Sequence, residues 1–324
     1  MFIKTEVSET KYLRFDNPIL LHKYCAFKII YLGLSIISAF RFFKAKRRVI
    51  KKKYYTSICA IFKNEAPYLE EWIEYHKIIG IDHFYLYNNF SEDNYDIVLQ
   101  KYINEGIVTL IDWPYPQGQM SAYNNCVEVF CNETNWISFI DLDEFIVPNF
   151  TNDISVILKK FENRPNIIAY WKYFGTAGHV ERDTKGLVIE DFTVSSRKYL
   201  NIGKIFYNTA YDWSPNNKNN SAMHYRVSEC RGETLLPVNF WGKICWSGVD
   251  KAVSDYPPVQ INHYVTRSYK EYEKKFERGD AYFSDNPRSL DYFYYHERMS
   301  ESVDYNIYKY LLELKIKLGR GKVS

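Results

Sequence analysis

The sequence predicts an α/β fold, a mixed and mostly parallel sheet with helices on both faces. Three observations carry this. Short apolar runs alternate with stretches of helical period, the spacing that βαβ units produce. The 324 residues are 46% hydrophobic and 18% aromatic, enough for a large core and unlike a disordered or low-complexity chain. The six cysteines are scattered with no CxxC, which reads as reduced, buried thiols rather than a disulfide framework or a zinc site.

The elements follow in order. Tyr55 to Phe62 is a buried strand; Pro67 opens a helix in which Leu69, Trp72, Ile73, His76 and Ile79 recur at helical spacing, and Gly80 ends it. His83 to Tyr87 is a second strand, Tyr95 to Ile103 a helix and Ile107 to Ile111 a third strand. Gln119 to Phe130 is helical, and Trp136 to Ile140 is a fourth strand. Ile167 to Phe174 reads as another strand, before loops rich in Gly and Asn. The tail from Ser268 reads as helical, with Val303, Ile307, Leu311, Leu314 and Leu318 on one stripe. These runs divide the chain into an arm over 1–54, a ligand-binding half over 55–165, a second half over 166–267 and a helical segment over 268–324.

Charge is uneven. Eight basic residues and no acidic one lie between Arg41 and Lys53, leaving 34 Lys and Arg against 39 Asp and Glu elsewhere. A body carrying −5 is a poor nucleic-acid binder. The run Ile29 to Phe40 precedes the basic cluster and is shorter than the about 20 apolar residues of a spanning helix. Residues 29–53 are therefore expected to meet an anionic membrane surface. The expected place of the body is cytoplasmic, peripheral or marginally anchored at the inner face of the cell membrane.

The sharpest chemical signal is Phe139-Ile-Asp-Leu-Asp-Glu-Phe145. An apolar strand runs into Asp141 and Asp143, and alternate strand residues, about 3.3 Å apart per position, point the same way. Hard oxygen ligands so placed suit Mg²⁺ or Mn²⁺ shared with a phosphate, and ligands of parallel sheets sit beyond the carboxyl ends of the strands.

Seven collinear blocks resemble glycosyltransferase family 92 and related bacterial family-2-like enzymes. They are Phe62 to His76 (FKNEAPYLEEWIEYH), Phe84 to Asp93 (FYLYNNFSED), Gln119 to Cys126 (QMSAYNNC), Trp136 to Phe145 (WISFIDLDEF), Trp171 to His179 (WKYFGTAGH), Lys204, and His263-Tyr264 with Lys274 and Gly279. They cover roughly Ser57 to Gly279. The resemblance implies the Rossmann-like GT-A fold and a metal-dependent hexosyltransferase. Such an enzyme moves a hexose from a UDP-sugar, UDP-galactose by analogy, to a glycan or lipid-linked glycan, with inversion, as in surface polysaccharide or lipopolysaccharide assembly. It also implies Mn²⁺ or Mg²⁺ as cofactor, with Asp143 on the metal, Asp141 on the ribose or the metal's water shell, and His263 as third ligand. Lys204 would neutralise the leaving diphosphate. Phe62, Asn64, Glu65, Asn89 and Asp93 would meet the nucleotide, and Gln119 and Asn124 the sugar or phosphates. An inverting transfer needs a general base; Asp250 is the first candidate, with Glu229, Asp212 and Glu144 beside it. Two rival readings are an aspartate-dependent phosphatase or phosphotransferase, which Glu-Phe after Asp143 disfavours, and a sugar- or nucleotide-binding module without turnover.

Overall fold

The structure of the chain, a computed structural model, describes residues 18–45, 51–183, 185–213, 223–248, 256–279, 286 and 288–320, of which 18–28, 30 and 31 by backbone alone. The first half alternates as the apolar runs demand. After α1 (Pro18–Lys44) come β1 (Tyr54–Phe62), α2 (Ala66–Ile78), β2 (His83–Asn88), α3 (Tyr95–Asn104), β3 (Val108–Asp112), α4 (Gln119–Phe130) and β4 (Thr134–Phe139). Each strand lies within two residues of its predicted bounds at either end. Then follow β5 (Glu144–Pro148), α5 (Ile154–Leu158), β6 (Asn166–Tyr173), α6 (Val188–Asp191), β7 (Val194–Ser196) and β8 (Gly203–Asn208). Short strands β9 (Asp212–Trp213), β10 (Ser228–Cys230), β11 (Glu233–Leu235) and β12 (Val238–Asn239) lead to β13 (Val259–His263). The chain continues through α7 (Tyr269–Glu277), α8 (Leu290–Met299), β14 (Ser300–Val303) and α9 (Leu311–Lys317).

Among the described residues a nine-stranded sheet has the order β3-β2-β1-β4-β8-β6-β13-β5, with β12 also paired to β6. β1, β2, β3, β4, β6, β12 and β13 share one direction; β8 runs against β4 and β6, and β5 runs against β13. This is the mixed, mostly parallel α/β architecture predicted. Alternation along the strands sends side chains to opposite faces, and each face has its own core. Ile58, Ala60, Phe62, Phe84 and Leu86 pack with Trp72 of α2 and Tyr102 of α3. Cys59, Ile61, Tyr85 and Tyr87 pack with Tyr123 and Cys126 of α4.

Two expectations are corrected. The acidic residues do not extend a strand: β4 ends at Phe139, and a tight turn carries the chain into β5. The tail is not one helical stripe. Val303 is exposed on β14, paired to β7, while Ile307 and Leu314 are buried and Leu311 and Leu318 are partly covered. The basic cluster is partly spoken for, because Lys52 donates to the Cys131 carbonyl (2.7 Å) and Arg41 and Lys44 pair with Glu233 (3.6 and 3.9 Å). Residues 46–50 of that cluster lie outside the described residues.

The arm folds as a helix pinned at one end. Ser38, Phe42 and Ala45 are buried, and the Arg164 guanidinium lies 4.3 Å over the Phe42 ring. Ile29, Leu32, Ile36, Ile37, Phe40 and Phe43 are exposed. No described helix is long and apolar enough to cross a membrane.

Candidate active site

The β4–β5 turn is closed by its own backbone. The Glu144 N–H donates to the Asp141 carbonyl, and the Asp141 N–H donates to Glu144 Oε2, both at 3.0 Å. β5 then pairs with β13 so that Glu144 lies opposite His263, and the Tyr264 N–H donates to the Asp143 carbonyl (2.8 Å). β8, inserted between β4 and β6, carries Lys204 to the same place. α4 supplies Gln119 and Tyr123, and α7 supplies Lys275.

Around Asp141 the partners converge. Lys204 Nζ donates to Oδ2 (2.7 Å), while Gln119 Nε2 (3.0 Å) and the Tyr123 hydroxyl (3.3 Å) donate to Oδ1. Lys204 also stands 3.4 Å from Glu144 Oε2 and 5.6 Å from the centre of the Trp171 ring. Around Asp143, His263 Nε2 lies 3.6 Å from Oδ2, and the Lys275 ammonium bonds the same oxygen while donating to the Val265 carbonyl (3.2 Å). One layer further out, Glu65 holds both Arg267 (2.9 Å) and Arg278, and Arg267 Nη2 donates to the Leu142 carbonyl within the turn (3.2 Å).

Burial and charge set the protonation states. Burial works against ionisation of Asp141, but the Lys204 ammonium outweighs it and the carboxyl falls below its usual range. For Asp143 burial is overcome more strongly, by Lys275 and His263, and its carboxyl falls well below that range. Glu144 is fully buried; burial, with the Asp141 and Asp143 charges added, lifts it well above the usual range against the pull of Lys204. Burial and neighbouring charge thus push Glu144 and the two aspartates in opposite directions, the environment-driven divergence that marks functional sites. Burial alone would lower Lys204, yet Asp141 and Glu144 raise it. His224, whose Nδ1 meets the Gly203 carbonyl (2.7 Å), is lowered to about 4 by burial and the Lys204 charge.

The residues fit a divalent cation as a pair rather than a triad. Among the described residues no three His, Cys, Asp or Glu side chains converge as a ready-made metal centre. Asp141 is taken up by Lys204, Gln119 and Tyr123. Asp143 Oδ2 and His263 Nε2, at 3.6 Å, stand wider than the roughly 3.0 Å between neighbouring ligands about 2.1 Å from an octahedral ion, so a small inward shift of either side chain would bring both onto one cation. His263 Nδ1 and Glu144 Oε1 face each other at 3.9 Å, both buried without a hydrogen-bond partner. A carboxyl group behind an imidazole is the arrangement that orients a ligating histidine.

Beside this cluster, past the carboxyl ends of β1 and β2, a hollow of about 470 Å³ is lined by Asn64, Ala66, Pro67, Glu92, Asp93 and Asn94. Asp93 Oδ2 caps α2 by accepting from the Ala66 N–H (2.8 Å), and Oδ1 is buried with no partner. Asn64 stands in the left-handed region at φ 52°, its side chain accepting from the Glu92 N–H (2.8 Å).

Other expected residues are placed elsewhere. Phe62 is buried core, edge-on to Tyr95 at 5.5 Å. Glu65 is buried between two arginines, and Asn89 spends its amide on the Trp113 and Tyr115 carbonyls (2.7 and 3.0 Å). Asn124 accepts from the Trp213 indole (3.0 Å). Glu229 is exposed on β10, paired with Asp212 and Thr234 in a separate small sheet, and shares no bond with the cluster. Asp250 lies outside the described residues. In the C-terminal block, Lys274 is exposed and its neighbour Lys275 turns inward. Lys275, Arg267, Arg278 and Tyr123 were not singled out, since isolated basic or aromatic residues carry no local signature.

An acidic turn flanked by a buried lysine and a histidine, at the carboxyl ends of a mostly parallel sheet, belongs to the glycosyltransferase class, and comparison with known proteins agrees. The profile of glycosyltransferase family 92 matches residues 52–312, and the chain belongs to that family. The match runs well past Gly279. A glycosyltransferase family 92 protein of Oryza sativa subsp. japonica is 28% identical over 141 residues, 42% of this chain and 24% of that protein. A beta-1,4-galactosyltransferase of Caenorhabditis elegans is 32% identical over 109 residues, 29% of this chain and 26% of that protein. The chain thus matches about a quarter of each relative's length. Among solved structures, Staphylococcus aureus TarS (residues 1–349) superposes over 52% of both chains at 13% identity with a TM-score of 0.34. Glucosyl-3-phosphoglycerate synthase of Mycobacterium tuberculosis, in complex with Mn²⁺ and UDP, does so over 36% of this chain and 44% of that one, at 14% identity and a TM-score of 0.26. Overlaps this loose transfer no detail.

Proposed function

We propose that the chain transfers a hexose from a UDP-sugar, with UDP-galactose the first choice, to a hydroxyl of a glycan or lipid-linked glycan in a metal-dependent, inverting reaction. The observation that carries the reading is the β4–β5 turn of a family 92 chain, where Asp143 and His263 stand together and Lys204 is buried on Asp141. Asp143 and His263 would hold Mn²⁺ or Mg²⁺, which when bound supplies positive charge against the departing diphosphate. Lys204 supplies a further charge from a fixed, water-poor position, where it is worth more than in bulk solvent. Gln119 and Tyr123 hold Asp141 toward the ribose side. The hollow lined by Asn64, Glu92, Asp93 and Asn94 would offer polar groups to the nucleotide. Glu229 and Asp212 lie on a separate sheet and Glu144 is fully buried beside Lys204, so Asp250 is kept as the proposed base.

We also propose that the exposed apolar face of α1 and the basic residues after it rest on an anionic membrane at the inner face of the cell membrane. The test of the main reading is hydrolysis of a UDP-sugar panel with and without Mn²⁺, on the intact chain and on Asp143→Asn. Metal-dependent consumption that the variant loses, with its fold kept, is expected. Equal turnover in both would remove the assigned site.

A further inference from the structure

The carboxylates of the site are met by cationic side chains of the chain itself. Four of them, Lys204, Lys275, Arg267 and Arg278, stand against the carboxylates of Asp141, Asp143 and Glu65. Lys275 differs from the other three. Arg267 and Arg278 are bound to Glu65 and to backbone carbonyls, and Lys204 sits between Asp141 and Glu144. Among the described residues, Lys275 bonds the Asp143 carboxylate and the Val265 carbonyl. The oxygen it bonds, Asp143 Oδ2, is the one facing His263 Nε2 at 3.6 Å, so the ammonium engages the oxygen that ligation by that pair would use. Lys275 reaches it from α7, whose start is anchored by a capping box between Ser268 and Glu271, leaving a flexible four-carbon stem as the part that can move.

We propose that Lys275 is a removable counter-ion: it neutralises Asp143 when no divalent cation is bound, gives up that oxygen when one binds, and then serves the donor's diphosphate. This rests on the metal reading above. A divalent cation and an ammonium on the same carboxylate oxygen repel each other strongly, so binding of the metal weakens the hold on Lys275. The freed ammonium then stands near Arg267 and Arg278 in a site with excess positive charge, which a diphosphate relieves. Metal and nucleotide binding therefore help each other, and by linkage the help is equal in both directions.

Mn²⁺ titration by calorimetry, with and without UDP, tests this on the intact chain and on Lys275→Met, Lys275→Arg and Asp143→Asn. Lys275→Met is expected to bind Mn²⁺ alone about tenfold more tightly and to lose most of the enhancement UDP gives, an effect of the size of ordinary couplings between sites. Lys275→Arg, which keeps the charge, should resemble the unaltered chain. If Asp143→Asn abolishes Mn²⁺ binding but Lys275→Met leaves affinity and UDP enhancement unchanged, the counter-ion role is wrong and the metal site stands. If the unaltered chain binds Mn²⁺ no better than Asp143→Asn, both fail. Amine labelling of the unaltered chain, read by mass spectrometry, is independent of any variant's folding. Lys275 should label slowly alone, faster with Mn²⁺ and slowly again with Mn²⁺ and UDP; a rate indifferent to Mn²⁺ overturns the proposal.

Discussion

Replacing Lys204 with methionine isolates one buried charge. At 2.7 Å from Asp141 Oδ2, the ion pair is worth about 6 kcal/mol at an effective dielectric of about 20. The Asp141 side chain is 33% exposed, and solvent screening reduces the loss to about 3 kcal/mol, the lower end of what removing one partner of a buried pair costs. Glu144 stands farther off, at 3.4 Å, and burial works against its ionisation. For a chain of this size that corresponds to a fall of about 5–10 °C in Tm, read by calorimetry in the absence of metal and nucleotide. The damage is the uncompensated carboxylate, so Asp141→Asn added to Lys204→Met should recover most of the loss. The pH dependence has a defined sign. Asp141 is held below its unfolded value, so its contribution is complete above that value and is lost as pH falls through the folded one; the gap between the two proteins should close on acidification. A Tm within about 1 °C of the unaltered chain, or a double variant whose losses simply add, would refute the reasoning.

Other outcomes follow from the same geometry. A Cβ at Gly203 would lie 1.8 Å from the Ala169 carbonyl oxygen across the β8–β6 pairing, so Gly203→Ala should yield protein that is protease-sensitive or insoluble; a soluble variant with unchanged Tm would contradict that pairing. His76 accepts the Ile146 N–H (3.2 Å) and is lowered by burial to about 3. Its contribution is full above pH 6.5 and declines by about 1.4 kcal/mol per pH unit as pH falls toward 3. Urea midpoints of the unaltered chain and His76→Asn should therefore converge between pH 7.5 and 4.5, and a constant gap would count against it. Replacing Ile36, Phe40 and Phe43 with Ser should weaken flotation with vesicles containing anionic lipid while leaving Tm unchanged; equal flotation would remove α1 from any membrane contact.

The first half of the fold was legible because apolar residues recur with the period of the element they build: His83 to Asn88 is buried throughout, α4 presents one stripe, and α2 buries Leu69, Trp72, Ile73 and His76 at helical spacing, with Glu71, Glu74 and Tyr75 covered as well. The acidic turn was legible for a related reason, since carboxylates rarely follow an apolar strand without a task. What those carboxylates meet came only from the family resemblance, which named Lys204 and His263. Lys204 depends on β8 entering the sheet between β4 and β6, and His263 on a register with β5 set 119 residues earlier, neither of which leaves a local trace. Lys275 was missed by one position, and one residue on a helix is about 100° of rotation. Glu65 read as a ligand contact because an exposed acid and an acid buried under two arginines are the same letter. The tail misled because Val303 and Ile307 fit a helical spacing that pairing with β7 overrode.

The reversed strand β8 has an implication for how the site comes into being. It lies in the middle of the sheet, yet the chain reaches it only after β6 has been made, so β4 waits with an open edge until a later segment slots in. Lys204 travels on that segment. A nascent chain ending before residue 203 would carry Asp141 and Asp143 with neither the lysine nor the histidine that steadies them, and two like charges would repel at the tip of an unfinished sheet. Ordering of the reactive centre is thus tied to closure of the scaffold, and no half of the protein can own a working site.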